Sequence, residues 1–280
     1  MHAPVSPRAM TGLSWFAIAR IGLVQASIGA LVMMSTTVLN RLMVVEYGLL
    51  AAIPAGLVSW HYVIQLGRPL WGHGSDRGSN RTPWMIGGMV VLAAGVLMAT
   101  QSTLMMGAPS FWVFAYANLA YSVIGVGVGA AGTSALALLA SSVAPDRRAA
   151  AAAVAWIMMI AGLVASAFTV GALIDPFTPQ ALSTVATGLA AVTIALTILA
   201  TFRLERGKPV FEQTAKEHSA PDFKAAIAEI FAETAARRFT IFIFVSMMAY
   251  NMQNLLQEPI AGQIFAMAPG ATTQLGGKLN

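Results

Sequence analysis

Residues 82–145 form a stretch of 64 positions without a charged side chain. One helix needs only about 20 apolar residues to cross a lipid bilayer, so this stretch is too long for one membrane span and suits two spans joined by a hairpin. We expect the hairpin at residues 101–110, where a glycine and a proline interrupt the helical pattern. Across the chain 57% of the residues are hydrophobic and 10% are charged, against about 25% charged in soluble proteins. The sequence therefore predicts an all-α polytopic membrane protein.

Further uncharged runs are each long enough for one more span. They are residues 21–40, 47–67, 149–174 and 176–202. Together with the two spans of 82–145 they predict six membrane helices. Because the first run is longer than the apolar core of a signal peptide, we interpret it as a retained span. The run 239–257 predicts a seventh helix. An isolated seventh helix has no second bundle to pack against, so we expect the chain to be part of a longer protein.

The composition changes sharply at residues 203–238, which hold seven basic and six acidic residues. Ser219, Pro221 and Asp222 resemble the start of a helix, and the apolar residues that follow share one helical face. This pattern predicts a helix that lies on the membrane surface or a linker helix that packs on the loop ends. The predicted organisation is a tail at 1–12, a six-helix bundle at 13–202, a charged linker at 203–238, a seventh transmembrane helix at 239–258 and a tail at 259–280.

The distribution of basic residues predicts the orientation in the membrane. With a cytoplasmic N-terminus, thirteen of the sixteen lysines and arginines lie in cytoplasmic segments, as the positive-inside rule requires. Arg41 and Lys278 then lie outside, and Arg20 lies at the inner edge of the first span. Arg20 either extends toward the lipid headgroups or is a buried cation in a translocation path. The net charge of +5 reflects this asymmetry, and nucleic acid is not an expected partner.

The loop between the second and third predicted spans combines glycines with charges. Gly72, Asp76, Arg77 and Arg81 match the cytoplasmic loop signature G-x-x-x-D-R-x-G-x-R of the major facilitator superfamily, with Ser79 in place of the second glycine. The chain thus resembles the first six-helix half of a major facilitator fold plus helix seven. The resemblance implies that Asp76 and Arg77 contact helix ends and gate one face of the bundle. The alternative is a loop that only orients the protein.

A narrower resemblance is to the PucC-like branch of that superfamily. At the outer end of the first span it is carried by Asn40, Arg41 and Glu46, and after the seventh span by Glu258. The other residues that carry it are Ala55-Gly56-Leu57, His61, Gln65, Arg68-Pro69, Arg81-Thr82-Pro83, Gln257, Pro259, Ala261-Gly262 and Thr272-Thr273-Gln274-Leu275. The resemblance covers nearly all of the chain, which is shorter than a typical member.

This resemblance implies a function. It implies a membrane assembly factor that delivers bacteriochlorophyll to, or assists the assembly of, light-harvesting antenna complexes in a photosynthetic bacterium. The implied partners are bacteriochlorophyll, as cargo or bound pigment, the antenna polypeptides and membrane lipids. The implied location is the inner membrane of the bacterium, in its photosynthetic, intracytoplasmic part.

The residue types in the sequence limit which functions the protein could have. The sequence contains no nucleotide loop, no nucleophile–base pair and no metal-spaced cluster of His, Asp and Glu, and it has no cysteine. We therefore expect neither an enzyme nor a metal-ion site. Proton-coupled transporters usually carry an acid inside a span, whereas Glu46, Asp175 and Glu258 lie at the ends of apolar runs. A secondary transporter of a small solute stays open as the alternative function.

Two features of the predicted spans bear on cargo. Small residues recur in the fourth span, at Gly125, Gly127, Gly129 and Gly132; they predict close helix packing and would also suit a large apolar cargo. His61 is the only histidine inside a span, and a neutral imidazole there needs a polar partner. That partner is an amide such as Gln65, a hydroxyl or carbonyl of another helix, a solvated cavity, or the magnesium of bacteriochlorophyll. His61 is therefore a candidate pigment ligand.

Overall fold

The computed structural model describes residues 12–68 and 80–205, together with scattered positions between 231 and 271. Throughout these residues the regular structure is helical, which confirms the all-α prediction. Five helical stretches of the described residues are long and apolar enough to cross a membrane. They are Trp15–Val45, Thr82–Gly107, Phe111–Ser142, Pro145–Leu173 and Pro179–Thr201. The protein is thus a multi-pass membrane protein.

The first span is longer than the uncharged run predicted. Helix α1 (Trp15–Met33) begins where the Ser14 hydroxyl accepts a hydrogen bond from the Ala17 amide at 3.2 Å, a common way to satisfy the first amides of a helix. It continues through a π-helical turn, Met34–Val38, into α2 (Leu39–Val45). The span therefore starts well before residue 21, because the serine cap and not a charge decides where the helix begins.

The π-helical turn is tied to the core by a buried tyrosine. The Tyr121 hydroxyl donates a hydrogen bond to the Ser35 carbonyl oxygen at 2.9 Å, and the tyrosine is fully buried. Buried tyrosine hydroxyls need such a partner. The bond joins the first span to the fourth.

The second predicted span contains a shorter helix than expected. Helix α3 (Ala52–Ile64) has 13 residues and is followed by a 3₁₀ turn at Gln65–Gly67. The chain first turns at Gly48, whose φ is 66°, in a region that glycine enters without strain. Pro54, which the uncharged run places inside a span, lies in the first turn of α3, where proline is tolerated.

The next four predicted spans are confirmed as helices. They are α4 (Thr82–Leu104), α5 (Phe111–Ser142), α6 (Arg148–Leu173) and α7 (Pro179–Thr201). The α4–α5 connection falls at 105–110, inside the expected hairpin. The Ser110 and Thr178 side chains accept hydrogen bonds from amides in the first turns of α5 and α7. These caps explain why the two helices start directly after their loops.

The main helix contacts form matched pairs. If the first three spans are matched in order to the last three, α1 corresponds to α5, α3 to α6 and α4 to α7. The contact of α1 with α6 then has its counterpart in the contact of α5 with α3. The contact of α1 with α7 likewise corresponds to that of α5 with α4, and the contacts α1–α5 and α4–α7 map onto themselves. The described bundle therefore has the contact pattern of two similar three-helix units.

Glycines set the closest helix contacts. A Cβ atom built at Gly127 would lie 2.5 Å from the Leu92 Cα atom, and one built at Gly125 would lie 2.8 Å from the His61 carbonyl oxygen. Only a residue without a side chain allows backbones to approach this closely. These two positions of the glycine row on α5 therefore serve helix packing, whereas Gly132 is less tightly enclosed, with Ile28 at 3.8 Å.

Candidate functional site

A cavity of about 320 Å³ lies between α1, α3, α5 and α6. Polar side chains on its wall come mostly from the end of α3 and the turn after it: His61, Tyr62, Gln65 and Arg68, with Gln25 added by α1. The rest of the wall is apolar and consists of Ile28, Gly29, Val32, Val128, Gly132, Leu136, Ala152, Ala155, Trp156, Met159 and Leu163. An apolar cavity with a few grouped polar atoms is the usual form of a small-molecule site.

His61 is the deepest polar group of this wall, with 1% of its surface exposed. Its Nε2 atom lies 2.7 Å from the Gln65 amide nitrogen, so Gln65, the nearest predicted partner on its own helix, is confirmed as a partner. The Gln65 carbonyl oxygen accepts a hydrogen bond from the Arg68 guanidinium. The three side chains therefore form a chain of hydrogen bonds along one face of the end of α3.

This chain determines which ring nitrogen of His61 carries the proton. A guanidinium only donates hydrogen bonds, so the oxygen of Gln65 must face Arg68 and its NH₂ group must face His61. An amide NH₂ also only donates, so Nε2 of His61 is the acceptor. The neutral ring then holds its proton on Nδ1. Among the described residues this buried Nδ1 has no hydrogen-bond partner.

The hydrogen-bond chain bears directly on the candidate role of His61 as a magnesium ligand. A ligand needs a free nitrogen lone pair, and here Gln65 engages the Nε2 lone pair while Nδ1 is protonated. Ligation would require His61 to exchange its partner or its tautomer. Magnesium ligation by His61 stays a prediction, and the observed arrangement presents an N–H donor.

Three of the residues that carry the family resemblance, Asn40, Arg41 and Glu46, lie together at the end of α2. Arg41 is 1% exposed and pairs with the Glu46 carboxylate at 3.0 Å, and Asn40 beside it is 2% exposed. Arg41 also donates a hydrogen bond to the Met267 carbonyl oxygen at 2.7 Å. The pair therefore links the end of α2 to the segment after the seventh predicted helix. Glu258 lies outside the described residues.

The loop signature is only partly within the described residues, because Gly72, Asp76 and Arg77 lie outside them. Arg81 is the residue before α4, and its amide and that of Thr82 donate hydrogen bonds to the Glu205 carboxylate at 3.1 and 2.8 Å. A carboxylate at the positive end of a helix dipole is stabilising. Glu205 was not among the residues predicted from the sequence, although its position as the first acid after the sixth predicted span was a usable signal.

Replacing Glu205 with alanine should remove both acceptors from the start of α4 and lower the free energy of unfolding by about 0.5–2 kcal/mol, as for other lost helix caps. Glu205→Gln keeps one acceptor oxygen and should lose less. Thermal unfolding of the three proteins in the same detergent measures the order. Equal melting temperatures for Glu205→Ala and the unmodified chain would contradict the capping role.

Arg20 has hydrogen-bond partners at the end of another helix, which neither of its two predicted roles included. Its Nε donates a hydrogen bond to the Ala200 carbonyl oxygen at 2.9 Å, and a second guanidinium nitrogen donates to the Phe202 carbonyl oxygen. The last carbonyls of a helix lack partners within the helix, so Arg20 of α1 caps the C-terminal end of α7. This contact fastens the first span to the sixth.

A larger cavity of about 740 Å³ opens between α1, α6 and α7. The hydroxyls of Ser27, Ser166 and Thr193 on its wall already donate to backbone carbonyl oxygens. Most of its other lining residues are alanine, leucine, valine or glycine. This groove offers apolar surface, whereas the smaller cavity combines apolar surface with an N–H donor that no described residue accepts from, and it is the better candidate for a specific site.

Residues 38–280 match the family model described as PUCC protein. The chain belongs to the PUCC protein family. It is 44% identical over 270 residues to the "Bacteriochlorophyll synthase 44.5 kDa chain" of Rhodobacter capsulatus, and the match covers 96% of this chain and 62% of that protein. This finding confirms the PucC-like resemblance.

Two further relatives from Rhodobacter capsulatus are more distant. One is the "Uncharacterized protein in puhA-bchM intergenic region", 30% identical over 270 residues, with 91% of this chain and 56% of that protein covered. The other is "Protein PucC", 29% identical over 275 residues, with 91% and 58% covered. The chain therefore spans less than two thirds of the length of these curated relatives.

Proposed function

We propose that the protein is a membrane assembly factor that delivers bacteriochlorophyll to, or assists the assembly of, light-harvesting antenna complexes in the inner membrane of a photosynthetic bacterium. The PUCC family and a relative named as a bacteriochlorophyll synthase chain support this proposal. The observation that carries it is the apolar cavity between α1, α3, α5 and α6, on whose wall the His61 Nδ1–H has no partner among the described residues.

The cavity suits part of a pigment. Its volume of about 320 Å³ lies at the lower end of the range of about 300–1,000 Å³ for small-molecule sites. A large flat pigment would therefore insert one edge and leave the rest between helices or in lipid. His61 and Gln65 would meet the polar edge of the ring, and apolar residues such as Trp156 and Leu163 would meet its hydrocarbon surface.

The major facilitator architecture is part of the same proposal. Inverted three-helix repeats build each half of those proteins, and the matched helix contacts of α1–α7 support such a pair of repeats. The contact of Glu205, in the first residues of the charged linker, with Arg81, the last residue of the signature loop, supports a common end of the bundle for both segments. Both segments carry basic residues, which supports a cytoplasmic position for this end and for the N-terminus.

We propose a binding role for this chain, because the candidate cavity combines apolar surface with a buried hydrogen-bond donor. A secondary transporter of a small solute is the alternative, but the apolar helices α1 and α4–α7 contain no acidic residue that could couple transport to protons. The geometry favours an apolar cargo.

Purification from a bacteriochlorophyll-producing host tests the proposal, with bound pigment measured by near-infrared absorbance per mole of protein. The unmodified protein should retain bacteriochlorophyll. His61→Ala should retain roughly two- to tenfold less at limiting pigment, because a neutral buried hydrogen bond contributes about 0.5–1.5 kcal/mol. Gly56→Ala on the same helix is the matched control, since a Cβ atom there meets nothing within 4 Å.

Two results would contradict this assignment. A correctly folded unmodified protein that carries no pigment would exclude pigment binding. Uptake of a small solute into proteoliposomes by that pigment-free protein would favour the transporter instead. Equal pigment in His61→Ala and the unmodified protein would show that pigment binds elsewhere than at this cavity wall.

A further inference from the structure

We propose that His61 recognises a carbonyl group of the bound pigment by donating a hydrogen bond from Nδ1, and that Gln65 and Arg68 are positioning residues that hold the ring in the tautomer required. This inference rests on the proposed function, because it assumes that bacteriochlorophyll is the molecule that enters the cavity. It adds the chemical group that is recognised and the atom that recognises it.

The hydrogen bonds at the end of α3 have a fixed direction. Arg68 can only donate, so it orients the amide of Gln65, and the amide in turn orients the imidazole of His61. Each of the three groups is four or fewer residues from the next along the same helix end, where side chains share a face. No other described group competes for Gln65 in these bonds, so the proton of His61 stays on Nδ1.

The buried Nδ1–H group of His61 is costly in free energy if it has no hydrogen-bond acceptor. His61 is 1% exposed, and its Nδ1 has no partner among the described residues. Buried polar groups in proteins are nearly always paired, and an exception calls for an explanation such as a water molecule, an ion or a bound ligand. Because the ring lines an apolar cavity, a carbonyl oxygen on an otherwise apolar molecule satisfies the donor and fills the space together.

A bacteriochlorophyll offers two kinds of group that a histidine could contact, a carbonyl oxygen and the magnesium ion. The bacteriochlorophyll ring carries carbonyl oxygens at its edge and magnesium at its centre. A cavity of about 320 Å³ admits an edge more readily than the centre of so large a ring. The hydrogen-bond chain also leaves no free lone pair on His61. A hydrogen bond from the His61 Nδ1–H to a carbonyl oxygen at the edge of the pigment therefore agrees with both the cavity volume and the tautomer of His61.

The tautomer can be tested without pigment. Nitrogen-15 NMR of pigment-free protein with labelled histidine, with the His61 signal identified by its loss in His61→Phe, should show a protonated Nδ1 and an unprotonated Nε2. Gln65→Glu should reverse the assignment, because a carboxylate only accepts and would draw the proton to Nε2. A protonated Nε2 in the unmodified protein would overturn the inference.

The recognised group is tested by resonance Raman spectroscopy of the purified pigment complex. In the unmodified protein one carbonyl stretch should lie at lower frequency than that of a free carbonyl, and His61→Phe and Gln65→Glu should each return it to the free position. The bands that report magnesium coordination should not change in His61→Phe. If those coordination bands change and the carbonyl band does not, His61 is a magnesium ligand and the inference is wrong.

The two proposals fail in different ways. If the unmodified protein holds no pigment, the proposed function and this inference both fall. If it holds pigment but His61→Phe and Gln65→Glu leave every carbonyl band unchanged, the inference alone falls. His61→Asn keeps an N–H donor in a shorter side chain, and partial recovery of the shifted band in that variant would separate the loss of the donor from a change in cavity shape.

Discussion

Glu46→Ala should destabilise the protein by about 3 kcal/mol, near the lower end of the cost of breaking a buried ion pair. The variant leaves the Arg41 guanidinium, which is 1% exposed, without its carboxylate, and a buried charge without a counter-charge is costly. Arg41→Met should cost less, because the side chain of Glu46 is 30% exposed and water can solvate it. Removing Glu46 therefore costs more than removing Arg41, because the charge that is left behind is the more buried one.

Reversible unfolding in mixed micelles, followed by circular dichroism, measures these differences. The double variant Arg41→Met/Glu46→Ala is the control, and it should be more stable than Glu46→Ala alone because no charge is then left buried. If Arg41→Met is the more damaging single change, the hydrogen bond of Arg41 to the Met267 carbonyl oxygen, and not the ion pair, is the main contribution of this arginine.

Gly88→Ala should lower the free energy of unfolding by about 1–3 kcal/mol, the usual cost of inserting a methyl group into a packed interface. A Cβ atom at Gly88 would lie 2.9 Å from the Cα atom of Ala131 and 3.0 Å from its Cβ atom. Backbone atoms cannot rotate away from such a contact, so α4 and α5 would have to separate. The effect should extend to the cavity, because α5 also forms part of its wall.

The neighbouring glycine is a matched control for this experiment. A Cβ atom at Gly87 meets nothing within 4 Å, so Gly87→Ala should be neutral or gain up to about 1 kcal/mol from the better helix propensity of alanine. The two variants differ by one position on the same helix and add the same methyl group. If both unfold at the same detergent concentration as the unmodified protein, the close α4–α5 approach does not contribute to stability.

Much of the helical framework could be predicted from the sequence because a bilayer imposes a one-dimensional rule. A stretch of apolar residues of sufficient length must cross the membrane as a helix, and this identified α4, α5, α6 and α7 with small errors at their ends. The rule failed where local chemistry overrides hydropathy. Ser14 starts the first span earlier than the run of apolar residues suggests, and the turn at Gly48 shortens the second helix.

Local spacing also predicted one contact of the candidate site. His61 and Gln65 are four positions apart on a helix, so their contact follows from helical geometry alone, and the structure confirms it. The sequence could not predict that Gln65 would in turn be oriented by Arg68, because the turn after α3 determines where that arginine lies. It also could not predict that α1, α5 and α6 would leave a cavity beside His61.

An all-α membrane protein of the PUCC family could be inferred from the sequence alone, because apolar run length and motif residues are properties of the chain itself. Which polar groups meet became evident only in the folded bundle. Arg20 donates to a carbonyl oxygen 180 positions later, at the end of α7, and Glu205 accepts from an amide 123 positions earlier, at the start of α4. Such pairs depend on which helices become neighbours, and that is decided by the packing of glycines and small side chains along whole helices. Hydrogen bonds between distant residues then form because a polar group facing apolar surroundings is stable only with a partner.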